Sequence, residues 1–153
     1  MRLNTFRLVA TVLALTFATA VVAQPSQAQQ HKAINLSTAK GLPFSDGVLA
    51  GNTLYIAGQE GSDDSGKLAA GGIAAETKAA LDNIDKVLKA AGFEMKDVVS
   101  VTVFLADIHD FAEMNKVYKG VLPDPKPARA TVQVAALVND ARIEISAIAV
   151  KQK

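Results

Sequence analysis

The chain has 153 residues, no cysteine and a formal charge of +1. That length fits one domain plus an extension. The absence of thiols excludes disulfides, thiolate metal sites and a cysteine nucleophile, and the balanced charge gives no reason to expect nucleic acid as a partner.

Residues 1–23 read as a segment outside the fold. Arg2 and Arg7 make a basic start, residues 8–23 are apolar, and Val21-Val22-Ala23 offers small residues at the positions a signal peptidase reads. The apolar run is shorter than the roughly 20 residues a membrane-spanning helix needs. A cleavable secretory signal peptide is therefore expected, with Ser26-Gln27-Ala28 a second possible cleavage site. Losing Arg2 and Arg7 would take the charge from +1 to −1. The mature protein is expected to be periplasmic or secreted and free of the membrane. Residues 24–32 read as a polar linker and 33–153 as the domain.

Within the domain, a first strand is expected over 33–37, followed by a turn-rich stretch in which Phe44 is an apolar residue in a loop. Residues 48–50 and 53–57 flank Gly51-Asn52 as a β-hairpin would. The glycines of 58–72 lack phosphate-loop spacing and mark only loops. Over 73–91, Ile73, Thr77, Ala80, Leu81, Ile84, Leu88 and Ala91 recur at three and four, which predicts an amphipathic helix capped by Gly92. Residues 98–105 form a strand whose row Val99, Val101, Val103 and Leu105 faces the core. A second helix is predicted over 107–121, with Phe111, Met114, Val117 or Tyr118, and Val121 on its stripe and Asn115 beside it. Pro123, Pro125 and Pro127 then stiffen the approach to the next strand. His31 and His109 stand in polar surroundings and read as surface residues.

The last third carries the only constellation that suggests chemistry. Residues 128–134 alternate with Ala128, Ala130, Val132 and Val134 in one row and Arg129, Thr131 and Gln133 in the other. In 142–150, Ile143, Ile145, Ala147 and Ala149 make the apolar row, opposite Arg142, Glu144 and Ser146. If the two strands share a sheet, this alternation lets Arg129 and Glu144 lie together on the non-core face. Such a pair is either a solvated ion pair of little worth or a guanidinium and a carboxylate held for chemistry. The order of elements predicts an α+β sheet with both helices on one face. The other face, rich in Thr and Ser and poor in charge, is expected to be covered by further copies of the chain.

The motifs resemble the RidA (YjgF) family of enamine/imine deaminases. They are Gly51-Asn52 with Tyr55-Ile56-Ala57-Gly58-Gln59, Leu81-Asp82-Asn83-Ile84, Ala90-Ala91-Gly92, Asp107 to Asn115 with Phe111, and Pro127-Ala128-Arg129-Ala130-Thr131-Val132 continuing to Ile143-Glu144-Ile145-Ser146-Ala147-Ile148-Ala149-Val150. The resemblance covers residues 33–151. It implies a chorismate-mutase-like α+β subunit in a homotrimeric barrel with sites between neighbours. It implies that Arg129 clamps the carboxylate of a 2-imino acid and that Glu144 positions or activates the hydrolytic water. Thr131, Asn115, Phe44, Ala57 and Gly58 would complete the substrate site. The products would be a 2-keto acid and ammonia, with no metal or organic cofactor. The family often has Tyr, Ser and Cys where Phe44, Ala57 and Thr131 stand. Two other readings of the same fold stay open: a binding protein for small carboxylates, which the two lost hydroxyls favour, and a holdase-type stress protein.

Overall fold

In the computed structural model the described residues are 31–36, 43–63 and 65–151. The expected signal peptide and most of the linker lie outside them. Six strands and two helices follow one another as β1 (His31–Ile34), β2 (Gly47–Ala50), β3 (Thr53–Glu60), α1 (Gly72–Ala90), β4 (Val98–Leu105), α2 (Phe111–Val121), β5 (Ala128–Gln133) and β6 (Ile143–Val150). The strand order is β1-β2-β3-β6-β4-β5. Every pairing is antiparallel except β4 with β5, the two strands joined through α2. β1 starts two residues earlier than its alternation predicts, inside the expected linker, where it pairs with β2 as an edge strand.

The hairpin turns where expected. Gly51 takes the first central position at φ 63, which a side chain would disfavour, and Ala50 pairs with Thr53. The Asn52 side chain and carbonyl both bond the backbone of Lys151, tying the turn to the end of β6. α1 buries Ile73, Thr77, Ala80, Leu81, Ile84 and Leu88 as its spacing requires, together with Val87 and Glu76. It ends in a Schellman motif: Phe93 N–H donates to the Leu88 carbonyl, Gly92 N–H donates to that of Lys89, and Gly92 adopts φ 78. Phe93 is then buried in the core beside Leu88.

The core lies between one face of the sheet and the helices, and includes Leu54, Ile56, Leu81, Ile84, Leu88, Val103, Met114 and Ile145. Both helices therefore sit on one face, as the element order predicts. Two alternation readings need correction. The register of β4 on β6 shifts between Val98 and Ser100. The irregularity puts Val98 in the core and leaves Val99 47 % exposed, because one extra residue reverses the alternation. In β5 the row facing the helices is Arg129, Thr131 and Gln133, not the alanines. Arg129 pairs with Val101 and Thr131 with Val103, both core residues, while Ala128 and Ala130 are exposed.

Two polar side chains fix the strand ends that matter below. Asn83 Nδ2 donates to the carbonyls of Glu60 (3.1 Å) and Ser62 (2.8 Å), pinning the end of β3 to α1. Buried Glu76 accepts from the backbone N–H of Arg142 at 2.8 Å, pinning the entry to β6.

Candidate active site

Arg129 is held by aromatic rings rather than by a carboxylate. Phe111 and Tyr118 stand seven residues apart, hence on one face of α2 two turns from each other. The Arg129 Cζ lies 4.5 Å from the Tyr118 ring centroid and 5.6 Å from that of Phe111. A guanidinium over ring faces is attracted by their quadrupoles and keeps its in-plane N–H groups free to donate. Arg129 makes no ion pair among the described residues. Asn115, half-buried, falls between the two rings on the same helical face. Two buried hydroxyls of this region, Tyr118 Oη and Thr131 Oγ1, have no hydrogen-bond partner among the described residues. Burial pushes the Tyr118 phenol up, against the opposing pull of the neighbouring Arg129 charge. Sequence spacing left Tyr118 and Val117 as alternatives for the stripe. The ring contact with Arg129 selects Tyr118, whose i, i+7 relation to Phe111 was the available signal.

Glu144 belongs to a second cluster. It pairs across the sheet with Phe104 of β4 and Glu60 of β3. The register of β3 on β6 is irregular between Ile56 and Gln59, and Ala57 and Gly58 fall in that irregularity. The Glu144 side chain crosses Gly58 so closely that a Cβ there would overlap Oε1 and come within 2.6 Å of Cδ. Ala57 N–H donates to the Asp46 carbonyl (3.0 Å), which docks the loop carrying Phe44 beside this cluster, with Phe44 itself 58 % exposed. The Glu144 carboxyl is pushed above its ordinary value, first by burial and then by the charge of Glu60.

The site residues thus fall into two groups: Arg129 and Thr131 on the helix face with Asn115 on α2, and Ala57, Gly58 and Glu144 on the other face, with Phe44 exposed in the loop docked on Ala57 through Asp46. Arg129 shares the face of Val101 and Glu144 that of Phe104, an odd number of residues away on β4. The expectation that Arg129 and Glu144 share the non-core face is therefore incorrect. They lie on opposite faces, two strands apart in the sheet. The alternation of β5 misled because it is an edge strand whose alanines face away from the helices, while its arginine packs on aromatic rings. Small apolar residues need not mark the core face when a long side chain can bury its stem there.

Fold and site together define an α+β domain that carries a ring-stacked arginine on one sheet face and, on the other, a carboxyl whose proton affinity its surroundings raise. The chain belongs to the family described as Endoribonuclease L-PSP, whose model matches residues 36–151, the RidA/YjgF family its motifs resemble. It is 51 % identical over 121 residues to the 2-iminobutanoate/2-iminopropanoate deaminase of Bos taurus, covering 76 % of this chain and 88 % of the relative. Among solved structures it is similar to the YjgF gene product of E. coli, with 37 % identity, a TM-score of 0.73, and 79 % and 99 % of the two chains covered. E. coli TdcF with bound serine matches at 32 % identity and a TM-score of 0.73, over 79 % and 99 % of the chains.

Proposed function

We propose that the protein hydrolyses 2-imino acids and their enamine tautomers to 2-keto acids and ammonia, at sites shared between neighbouring subunits of a homotrimer. The observation that carries this reading is Arg129, a guanidinium oriented by two rings and free of any ion pair among the described residues. Its planar fork suits a carboxylate bidentately. The bovine relative's name specifies imino acids as its substrates, and the serine bound in TdcF is a small α-carboxylate in that protein. The near-balanced charge supports a small anion over RNA.

In the reaction, Arg129 fixes the substrate carboxylate while Glu144 takes a proton from water as its oxygen bonds the imine carbon. The nitrogen receives that proton and then the one from the new hydroxyl, so the C–N bond breaks to ammonia as the carbonyl forms. A carboxyl raised by burial is a stronger base than an ordinary one and suits that step. Placement of Arg129 and Glu144 on opposite faces of one sheet supports a site completed by a second subunit, since one chain alone does not bring them together.

The test generates imino acids in situ with an amino acid oxidase and measures keto acid release by the mature protein. Release faster than spontaneous hydrolysis is expected, and no acceleration would overturn the reading. Arg129→Lys should lose about 1.5–3 kcal/mol of keto acid affinity, roughly 10- to 150-fold. Glu144→Gln should keep binding but lower turnover on the order of 10²-fold. If wild type and Glu144→Gln alike show only the spontaneous rate while Arg129→Lys loses binding, a carboxylate-binding protein replaces the enzyme; if both accelerate equally, the enzyme stands and Glu144 is not its base.

A further inference from the structure

Glu60 stands directly across the β3–β6 ladder from Glu144. Like charges in this position ordinarily destabilise a sheet, so the arrangement calls for a cause. Both partners are held in place. The backbone of Glu60 is anchored through its carbonyl to Asn83, and its carboxylate accepts a hydrogen bond from Asn139 Nδ2 at 3.0 Å. Asn139 reaches it from a turn in which both Asn139 and Asp140 have left-handed backbone conformations, φ 55 and φ 56, a conformation that costs a non-glycine residue energy. Glu144 lies along bare Gly58, so its carboxylate stays close to the strand that carries Glu60.

Among the described residues no cation compensates Glu144. Phe104 faces it from β4, Ser146 follows it on β6, and Asn139 of the 138–140 turn bonds Glu60. Arg142, two residues before it, commits its guanidinium to Asp110 at 2.8–3.0 Å. Among the described residues Glu144 has no ion-pair partner.

We propose that Glu60 is a positioning residue for the reaction: Asn139 holds a negative charge on Glu60 next to Glu144, and that fixed charge keeps Glu144 a strong proton acceptor. This rests on the reading of Glu144 as the group that activates water. A hydrogen bond donated to a carboxylate favours its charged form. Asn139 therefore holds the Glu60 carboxylate in place on the strand that faces Glu144 across the ladder. A fixed anion beside a base raises its affinity for the proton it must take from water. The consequence is a chain whose imine hydrolysis loses activity at the acid end at a higher pH than Glu144 alone would dictate.

The experiment is a carbon-13 NMR titration of glutamate side-chain carboxyls in the full mature protein, with Glu144 assigned by comparison with Glu144→Gln. It reads protonation whether or not the protein turns over imines, so failure of the deaminase reading and failure of this proposal are distinguishable. In Glu60→Gln, an isosteric change, the Glu144 midpoint is expected to move to lower pH. Asn139→Ala should move it in the same direction, the double variant no further than Glu60→Gln, and Glu60→Asp should restore most of the wild-type midpoint. In parallel, the acid limb of kcat/KM for imine hydrolysis should shift down in pH with the NMR midpoint, and the plateau should fall by roughly two- to ten-fold as the base weakens. A Glu144 midpoint that is the same in Glu60→Gln as in wild type overturns the proposal, as does a double variant whose shift is the sum of the two singles.

Discussion

Glu144 shows how a raised carboxyl makes stability depend on pH. Folding raises its affinity for a proton, by burial and by the charge of Glu60. Its contribution to stability is therefore fully present below its ordinary value of 4.5 and is lost as pH rises through the raised value in the folded chain. Glu144→Gln cannot ionise and escapes that loss. It is expected to unfold at higher urea than wild type at about pH 7.5, with the advantage shrinking below about pH 4. Equal advantages at the two pH values would mean that ionisation of Glu144 is not what costs stability. The opposite case is Arg129, whose charge is set against rings rather than a carboxylate. Replacing Tyr118 by Leu removes the nearer ring face and should weaken keto acid binding by about 0.5–2 kcal/mol, measured by calorimetry, while Glu144 is left in place.

At the scale of elements, the end of β3 carries two glycines with different duties. Gly58 is bare so that Glu144 can cross it, and the atoms a Cβ would meet are the far end of that flexible side chain. Gly61 is bare because α1 presses on it: a Cβ would overlap the Glu76 backbone and come within 2.6 Å of the Glu76 Cβ. Gly58→Ala should therefore fold with little loss of stability but displace the carboxylate, and a displacement of about 1 Å can cost on the order of 10²-fold in turnover. Gly61→Ala should cost about 1–3 kcal/mol by forcing helix and strand apart, with turnover per folded molecule much less affected. Thermal unfolding and keto acid release on both variants separate the two outcomes. If Gly58→Ala is fully active, Glu144 does not act from the place it occupies here.

For the whole molecule, the opposite-face placement of Arg129 and Glu144 makes the proposed sharing of sites between subunits testable. A trimer with sites between neighbours predicts complementation. Arg129→Lys and Glu144→Gln, each nearly inactive, should regain activity when unfolded and refolded together. Random mixing in a cyclic trimer leaves one intact site in each mixed assembly, hence about a quarter of wild-type activity. No recovery in mixed oligomers would mean that each site is built within one chain, and light scattering should show three copies throughout. Export is the other prediction at this scale. Mass spectrometry of protein from a periplasmic fraction should find a mature N-terminus near Gln24 or, failing that, Gln29, whereas intact Met1 on cytoplasmic protein would remove it.

Features set by neighbouring residues and by motif are legible in the chain alone. The α1 stripe and its Gly92 cap, the Gly51-Asn52 turn and the boundaries of β4 follow from periodicity and backbone freedom within a few residues. Family membership was legible because its motifs recur in order along the chain. Which face each strand presents was decided only by tertiary structure. A residue's face depends on every irregularity between it and its partner strand, so one extra residue exchanged Val98 for Val99. For β5, the parallel register on β4 put Arg129 beneath α2, while the antiparallel register of β6 put Glu144 on the other side. The opposition of Glu60 to Glu144 has the same origin. The two glutamates are 84 positions apart in the chain, and only the ladder between β3 and β6 makes them neighbours.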